Sequence, residues 1–180
     1  MAILLAAGLG KRQQPLTNQT PKPLLRVGNR PLIDYAMNAL AYSRIKTIYV
    51  VTNYLESQII KYLEEYQRNG FDLVFCHQKT TIGTADAVNA VNRHLKRIKS
   101  ITNYLVISAA DYVFPEGYIK ALIDFHSARS NDISVSLRDI DPTKAGNSSS
   151  VVMDTHGNLK KINEKPTNLE DDHVVAATLL

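Results

Sequence analysis

The sequence predicts an α/β fold, in which a mixed, mostly parallel sheet carries helices on both faces and gains an antiparallel hairpin near its end. Short apolar runs alternate with segments whose apolar residues recur every three or four positions, the pattern of strands alternating with helices. The strand runs are apolar at consecutive positions, as in strands buried on both faces. Later, two runs flank a polar turn, Asp154 to Asn158, which favours a hairpin. Together these features predict a three-layer, Rossmann-like arrangement.

Each predicted element has a local signal. Thr47 to Thr52 is rich in β-branched residues, Pro31 suits the first turn of a helix, and Gly70 suits the end of another. The predicted order is strand Ala2 to Ala6, helix Pro31 to Leu40, strand Thr47 to Thr52, helix Leu55 to Gly70, strand Phe71 to Cys76, helix Thr84 to Arg97, strand Tyr104 to Ser108, helix Pro115 to Arg129, strand Ile133 to Leu137, and hairpin strands Val151 to Met153 and Leu159 to Ile162.

Length and composition predict one globular domain, 1–180, with a core of ordinary size. No apolar run approaches the roughly 20 residues of a membrane span, and the first apolar run is too short for a signal peptide. The single cysteine, Cys76, has no partner for an internal disulfide, which suits a reducing compartment. We therefore expect a cytoplasmic protein that does not bind a membrane.

Positive charge is concentrated near the start of the chain. The pI is about 9.1, yet no Asp or Glu precedes Asp34, and acidic residues outnumber basic ones after Phe114. A local excess of this kind suits a bound nucleotide or sugar phosphate better than a polynucleotide. We therefore expect no nucleic acid partner.

A predicted strand followed by a cationic, glycine-broken loop indicates a phosphate site. The apolar run Ala2 to Ala7 leads into Gly8-Leu9-Gly10-Lys11-Arg12, and Lys22 follows. Glycines let backbone amides approach an anion, and the fixed cations neutralise it.

Four polar segments follow predicted strands. They are Gly8 to Lys22, Gln78 to Thr84, Asp111, and Glu164-Lys165-Pro166. Open α/β sheets bind ligands beyond the carboxyl ends of their strands. The sequence therefore predicts that these segments converge on a single site.

These segments resemble the sugar-1-phosphate nucleotidylyltransferases. That family opens with Leu-Ala-Ala-Gly-x-Gly-Thr-Arg-x-x-Pro-Leu-Thr and continues with Pro-Lys-Pro-Leu, and residues 5–25 here read LAAGLGKRQQPLTNQTPKPLL with the same spacing. The later matching blocks are Pro31-Leu32-Ile33, Gln78 with Gly83-Thr84-Ala85, Asp111, and Glu164-Lys165-Pro166.

The resemblance implies a nucleotide-diphospho-sugar transferase fold, similar to GT-A, and a definite reaction. A nucleotidyl group passes from a nucleoside triphosphate to a sugar 1-phosphate, releasing pyrophosphate and forming an NDP-sugar. Such transfer depends on alignment and charge neutralisation more than on covalent help. The resemblance implies that Arg12 and Lys22 are catalytic cations and that Asp111, also catalytic, binds Mg²⁺.

The resemblance also implies a set of substrate-binding residues. Gln78 would read a base edge, Lys165 would pair with the sugar phosphate, and Glu164 would accept hydrogen bonds from sugar hydroxyls. The full set is Leu5, Ala6, Ala7, Gly8, Gly10, Lys11, Gln78, Gly83, Thr84, Glu164 and Lys165.

The sequence departs from the family at several positions. Lys11 replaces a threonine, and Ala110 replaces the glycine before the metal-binding aspartate, where an added methyl would crowd a ligand. Residues 147–150 stand near a position where many relatives have Tyr-Gly beside the sugar. The family's second metal-binding aspartate lies beyond the matched region, so we expect that the domain lacks its C-terminal part.

Several alternatives remain open from the sequence. The spacing at Gln78 favours UTP or dTTP, with guanine as another possibility, and Gln78 itself has a structural interpretation of similar weight. The second functional hypothesis is a non-catalytic nucleotide-sensing or assembly module of the same fold, as in subunits of translation-initiation exchange factors. Relatives often self-associate, so a homo-oligomer is also expected.

Overall fold

The computed structural model describes residues 1–80, 83–95, 104–139, 141, 149–164 and 175–178, with the backbone alone at 93, 164 and 175–178. The chain divides into two compact units, 1–129 and 130–180.

The first unit alternates strands with helices. Its elements are β1 (Ala2–Leu5), β2 (Arg26–Val27), β3 (Arg30–Pro31), α1 (Leu32–Tyr42), β4 (Thr47–Thr52), α2 (Glu56–Arg68), β5 (Asp72–His77), α3 (Thr84–Leu95), β6 (Val106–Ala109) and α4 (Tyr118–Arg129). The predicted helices and parallel strands are confirmed, with shifts of a few residues at their ends, while the predicted end of α3 at Arg97 lies outside the described residues. No described helix is both long enough and apolar enough to cross a membrane.

β1, β4, β5 and β6 form a parallel sheet in the order β5-β4-β1-β6. The chain moves outward from β1 through β4 to β5, and then returns across the sheet to β6 on the other side of β1. Because parallel crossovers are right-handed, this reversal places α3 on the face opposite α1 and α2. The reversal also opens a crevice beyond the carboxyl ends of β1 and β6, where such sheets bind ligands.

Both faces of the sheet are buried, as the apolar strand runs predict. On one face, Ile3, Tyr49 and Cys76 pack in one cluster with Ala87 and Val91 of α3. Neighbouring strand residues point to the opposite face. That set is also buried, together with side chains of α1 and α2: Ala2, Leu4, Ile48, Val50, Ile33, Met37, Leu40, Ile59 and Leu63.

A carboxylate shared by two tyrosines joins α1 to α2. The Tyr62 hydroxyl donates to both carboxylate oxygens of Asp34 at 2.8 and 2.9 Å, and the Tyr66 hydroxyl donates at 2.9 Å. Burial, and then these hydrogen bonds, raise the pKa of Tyr62 to about 12 and also raise the pKa of Tyr66. The cluster fixes the two helices against each other on one side of the sheet.

A short hairpin that the sequence analysis missed connects the first loop to α1. β2 and β3 pair antiparallel around Gly28 and Asn29, whose φ values are 57° and 65°. Positive φ at both central residues is the geometry of a tight two-residue hairpin. The Tyr35 hydroxyl donates to the Val27 carbonyl at 2.7 Å, which holds this hairpin against α1.

The second unit is antiparallel where it is described. β8 (Ser149–Met153) and β9 (Leu159–Glu164) form the predicted hairpin. In its turn, one Asp154 carboxylate oxygen accepts the amides of His156 and Asn158 at 2.9 and 2.8 Å. Hydrogen bonds, first from the Asn158 side chain, lower the pKa of Asp154.

The predicted strand Ile133 to Leu137 is wrong in its bounds. The strand β7 spans Ser136–Asp139, while Ile133 is 79% exposed. β7 pairs antiparallel with β10 (Val175–Thr178) and does not extend the parallel sheet among the described residues. The pairing joins segments far apart in sequence, so no local pattern could reveal it.

Candidate functional site

Three loops of the first unit leave the carboxyl edge of the parallel sheet at fixed points. The hydrogen-bond ladder continues one residue past each strand: Ala6 donates to the Val51 carbonyl at 2.8 Å, and Gln78 donates to that of Thr52 at 2.9 Å. Ala110 likewise donates to the Leu5 carbonyl at 2.9 Å. Residues that follow these amides therefore start from rigid positions at a common edge.

The loop after β1, residues 6–22, is called the phosphate loop here. It contains short 3₁₀ turns at Lys11–Gln13 and Leu16–Asn18, and a third turn, Lys22–Leu24, begins where it ends. Its internal hydrogen bonds among described residues include Gln13 to the Gly10 carbonyl at 2.9 Å. The loop thus has a defined shape without belonging to a helix or strand.

The two glycines of the phosphate loop serve different needs. Gly10 has a φ of 63°, and a Cβ there would lie 2.8 Å from Cγ2 of Thr17 and 3.3 Å from Cβ of Lys22. Gly10 is therefore required for both its backbone conformation and its lack of a side chain. Gly8 is exposed, and a Cβ there would meet nothing within 4 Å. Its backbone is accordingly open to a ligand.

Two cations of the phosphate loop face solvent. Lys11 and Arg12 lie in the first 3₁₀ turn, and both are exposed. Neither side chain forms a hydrogen bond or ion pair with another described residue. They are thus available to an incoming anion.

Lys22 and Asp111 form an ion pair between Nζ and Oδ2, with side chains 28% and 24% exposed. The pair joins the end of the phosphate loop to the second residue after β6, across the crevice where the strand order reverses. The Ala110 residue is fully buried, so its methyl lies in the protein interior and not at the open edge. The expected crowding of a ligand at Ala110 stays a prediction.

The chemistry of this edge fits Mg²⁺ carried by a substrate. Among the described residues, no three Asp, Glu, His or Cys side chains are grouped to hold a metal ion. Asp111 offers one carboxylate, and Mg²⁺ in nucleotide sites is held by one or two carboxylates together with phosphate oxygens and water. Asp111 thus suits an ion whose other ligands come from a triphosphate.

Gln78, predicted to read the base, is only 3% exposed. Its side-chain nitrogen donates to an Asp86 carboxylate oxygen at 2.7 Å and lies 3.5 Å from the Gly83 carbonyl. A carboxylate only accepts, so Asp86 fixes which end of the amide faces it. Gly83 and Thr84 are exposed, and a Cβ on Gly83 would meet nothing within 4 Å. Gly83 and Thr84 are thus among the exposed residues of this segment, and reading of a base by Gln78 stays a prediction.

Two residues that no sequence motif indicates brace the phosphate loop. The Tyr54 hydroxyl lies 3.0 Å from the carbonyl oxygens of both Thr17 and Asn18, and Gln58 donates to that of Gln19 at 2.9 Å. Tyr54 and Gln58 come from the turn after β4 and the first part of α2. Their only sequence signal is their place just after a strand that neighbours β1.

The same turn also braces the end of β5. Asn53 donates to the Gln78 carbonyl at 2.7 Å, and a Glu56 carboxylate oxygen accepts from Thr52 at 2.9 Å and lies 2.8 Å from Nδ1 of His77. The hydrogen bond with His77 is the main cause that lowers the pKa of Glu56. The turn after β4 and the start of α2 therefore form hydrogen bonds both with the phosphate loop and with the residues at the end of β5.

Glu164 and Lys165 belong to the second unit. Glu164 is the last residue of β9, and Lys165 lies outside the described residues. The predicted convergence of these two residues with the phosphate loop stays a prediction.

Comparison with known proteins gives one family over nearly the whole chain. A family model described as nucleotidyl transferase matches residues 1–178. The chain is 28% identical to the mannose-1-phosphate guanylyltransferase catalytic subunit beta of Drosophila melanogaster, over 97% of this chain and 46% of that protein. It is 32% identical to the mannose-1-phosphate guanyltransferase of Kluyveromyces lactis, over 80% of this chain and 39% of that protein. The chain spans less than half the length of these curated relatives.

Solved structures share the fold. A putative glucose-1-phosphate thymidylyltransferase from Bacillus anthracis matches with a TM-score of 0.82 and 23% identity, over 98% of this chain and 68% of that one. A UDP-glucose pyrophosphorylase matches with a TM-score of 0.80 and 20% identity, over 99% of this chain and 73% of that one. The predicted α/β architecture, with a parallel sheet and an added hairpin, is thereby confirmed.

Proposed function

The chain belongs to the nucleotidyl transferase family, and we propose that it transfers a nucleotidyl group from a nucleoside triphosphate to a sugar 1-phosphate, releasing pyrophosphate. The observation that carries the proposal is the Lys22–Asp111 ion pair beside Gly10, at the crevice where the strand order reverses. A cation and a carboxylate held there, next to exposed loop amides, suit a triphosphate that arrives with a divalent ion.

We infer that the substrates are GTP and mannose 1-phosphate. The support is that the curated relatives from Drosophila melanogaster and Kluyveromyces lactis are named as a mannose-1-phosphate guanylyltransferase subunit and a mannose-1-phosphate guanyltransferase, respectively. This replaces the preference for UTP or dTTP that the Gln78 spacing suggested. A non-catalytic module is not favoured, because the cations Arg12 and Lys22 are present and the named relatives are enzymes.

The residues would act mainly by holding charge in place. The backbone of Gly8 to Lys11, with Arg12, would bind the triphosphate, and Lys22 would stabilise negative charge at the α-phosphate. Mg²⁺, held by Asp111, would neutralise phosphate charge when bound. The sugar phosphate is already an anion, so its attack on the α-phosphorus needs alignment and no general base.

In the free protein, Lys22 and Asp111 neutralise each other. A metal-bound triphosphate would give each of them a new partner, with the carboxylate turning to the cation and the ammonium to the phosphate. Both side chains are partly exposed, so this exchange strips little water from either group. The pair therefore keeps both groups near their working positions at low cost.

The sugar-phosphate side of the site stays a proposal from the sequence. Lys165 would pair with the sugar phosphate, and Glu164 would accept hydrogen bonds from sugar hydroxyls. Lys165→Ala should raise the KM for the sugar phosphate and leave the KM for the triphosphate unchanged. Light scattering during the same preparation would test the expected homo-oligomer.

The central test measures pyrophosphate release by the full chain with Mg²⁺, pairing GTP, UTP or dTTP with mannose or glucose 1-phosphate. We expect the highest kcat/KM for GTP with mannose 1-phosphate. Arg12→Ala should raise the KM for the triphosphate, and Lys22→Ala should mainly lower kcat, each by about tenfold to a hundredfold, the weight of a charge-assisted hydrogen bond.

Lys120→Ala is the matched control. It also removes the lysine of a Lys–Asp ion pair, with Asp124, on an exposed helix surface of the same unit. Its kinetics should equal those of the wild type. The proposal fails if the wild type releases no pyrophosphate with any pair, or if Lys22→Ala behaves like this control.

A further inference from the structure

Besides the Lys22–Asp111 ion pair, a few side-chain hydrogen bonds from elsewhere in the described first unit reach the phosphate loop. Its backbone hydrogen bonds beyond Ala6 span three residues each, as in Asn18 to the Pro15 carbonyl at 3.1 Å. Such local bonds shape the turns but do not fix where the loop lies on the sheet edge. Contacts from elsewhere in the first unit must do that, and three consecutive carbonyls, those of Thr17, Asn18 and Gln19, receive them.

The Tyr54 hydroxyl is central to this anchoring. It lies 3.0 Å from the carbonyl oxygens of both Thr17 and Asn18, so its single proton is shared between two acceptors. Gln58, one helical turn further along, donates to the Gln19 carbonyl at 2.9 Å. Both donors come from the segment after β4, which pairs directly with β1. The anchor is therefore rigidly tied to the strand that starts the loop.

Thr17 passes this anchoring on to Gly10. Thr17 is 1% exposed, and its hydroxyl donates to the Gly10 carbonyl at 2.9 Å. Its methyl lies beneath Gly10, where even a Cβ would be 2.8 Å away. The Cβ of Lys22 lies 3.3 Å from the same point. A shift of Thr17 would therefore move the Gly10 backbone through the hydrogen bond from its hydroxyl.

We propose that Tyr54 is a positioning residue for the triphosphate, acting through Thr17 on the Gly10 backbone. The proposal rests on the proposed function, because it assumes that the phosphate loop binds the triphosphate. Tyr54 itself hydrogen-bonds to carbonyls and leaves the loop amides free for the ligand. Loss of its hydroxyl should therefore weaken triphosphate binding while leaving the sugar-phosphate side unchanged.

The test compares Tyr54→Phe with Tyr35→Phe. Both variants remove one hydroxyl that donates to a backbone carbonyl, but Tyr35 holds the Val27 carbonyl in the β2–β3 hairpin. Tyr54→Phe should raise the KM for the triphosphate about fivefold to tenfold, the weight of one ordinary hydrogen bond. The KM for the sugar phosphate, and both constants in Tyr35→Phe, should stay within about twofold of wild type.

A second variant follows the same path. Thr17→Val keeps the side-chain shape but loses the hydroxyl that donates to Gly10, so it should reproduce the triphosphate effect. In the Tyr54→Phe, Thr17→Val double variant the two effects should combine to less than their product, because they act on one loop position. The melting temperature, measured alongside, shows whether either variant is unfolded at the assay temperature.

Three results would overturn the inference. They are an unchanged triphosphate KM in Tyr54→Phe, equal rises in the KM for both substrates, and equal effects of Tyr54→Phe and Tyr35→Phe. Failure of the proposed function looks different, since the wild type would then release no pyrophosphate. In that case, calorimetric titration with GTP and Mg²⁺ still tests the inference, because Tyr54→Phe should raise the Kd by the same factor.

Discussion

Replacing Gly10 with alanine tests how tightly the phosphate loop is built. The new side chain must adopt a φ near 63°, which costs about 1–2 kcal/mol for a residue with a Cβ. The Cβ also meets Cγ2 of Thr17 at 2.8 Å and Cβ of Lys22 at 3.3 Å, so one of them must move. Overlap in a packed region costs about 1–3 kcal/mol more. We therefore expect Gly10→Ala to lower the free energy of unfolding by about 2–5 kcal/mol.

Two matched glycines separate the contributions. Gly70 has a φ of 86° and open space, with Nζ of Lys46 at 3.9 Å, so Gly70→Ala should lose only the conformational part, about 1–2 kcal/mol. Gly8 has no positive φ and no neighbour within 4 Å of a Cβ, so Gly8→Ala should change stability by less than about 0.5 kcal/mol. Because a methyl there would face the ligand, it should still raise the KM for the triphosphate.

Urea unfolding followed by circular dichroism gives the three free energies, and steady-state kinetics gives the KM values. The expected ranking of destabilisation is Gly10→Ala, then Gly70→Ala, then Gly8→Ala. If Gly10→Ala were no more destabilising than Gly70→Ala, the close packing of Gly10 against Thr17 and Lys22 would be refuted.

Three further predictions concern titration and accessibility. Tyr66 has a raised pKa in the fold and an ordinary value of 10 when unfolded, so its contribution to the free energy of unfolding is present below pH 10 and is lost as the pH rises above it. Asp34→Asn removes the carboxylate that accepts from Tyr66 and should make this loss of stability smaller. Unfolding at alkaline pH, with tyrosinate absorbance recorded alongside, measures both effects. Glu56 has a lowered pKa in the fold, so its contribution to the free energy of unfolding is present above its usual pKa of 4.5 and is lost as the pH falls through the folded value. Glu56→Gln should remove this loss of stability in acid. The loss is at most about 1 kcal/mol, because the His77–Glu56 pair is partly exposed. Cys76, 1% exposed, should react with a thiol reagent in denaturant and not in the native protein, and rapid native labelling would contradict its burial.

The parallel half of the fold was predictable because its signals are local. β4 occupies Thr47–Thr52, where the β-branched run predicts it, and α2 ends before Gly70 as expected. The sequence predicts β7 three residues too early, at Ile133. Isoleucine favours strands, but Ile133 has no pairing partner among the described strands and is exposed. Pairing across long stretches of chain decides such segments, and composition alone does not encode it.

The candidate site likewise has one part that the sequence predicts and another part that it does not. The sequence motif and the rule for strand ends placed Lys22 and Asp111 at one edge, and the structure pairs them. Their catalytic roles remain predictions. Asp86 and Tyr54 could not be found from the sequence, because an aspartate early in a helix and a tyrosine after a strand are ordinary features. Their importance appears only when the loops are placed in space.

The middle position of β1 has a consequence for how the protein is made. A ribosome delivers β1 first among the four parallel strands, yet Ala2 pairs with Ile48 on one side and with Val106 on the other. The strand cannot be enclosed until β6 has emerged, so contacts between distant segments must form late, and such topologies mature slowly. Until then the apolar run that precedes the glycines stays uncovered on one edge, where another chain could pair with it.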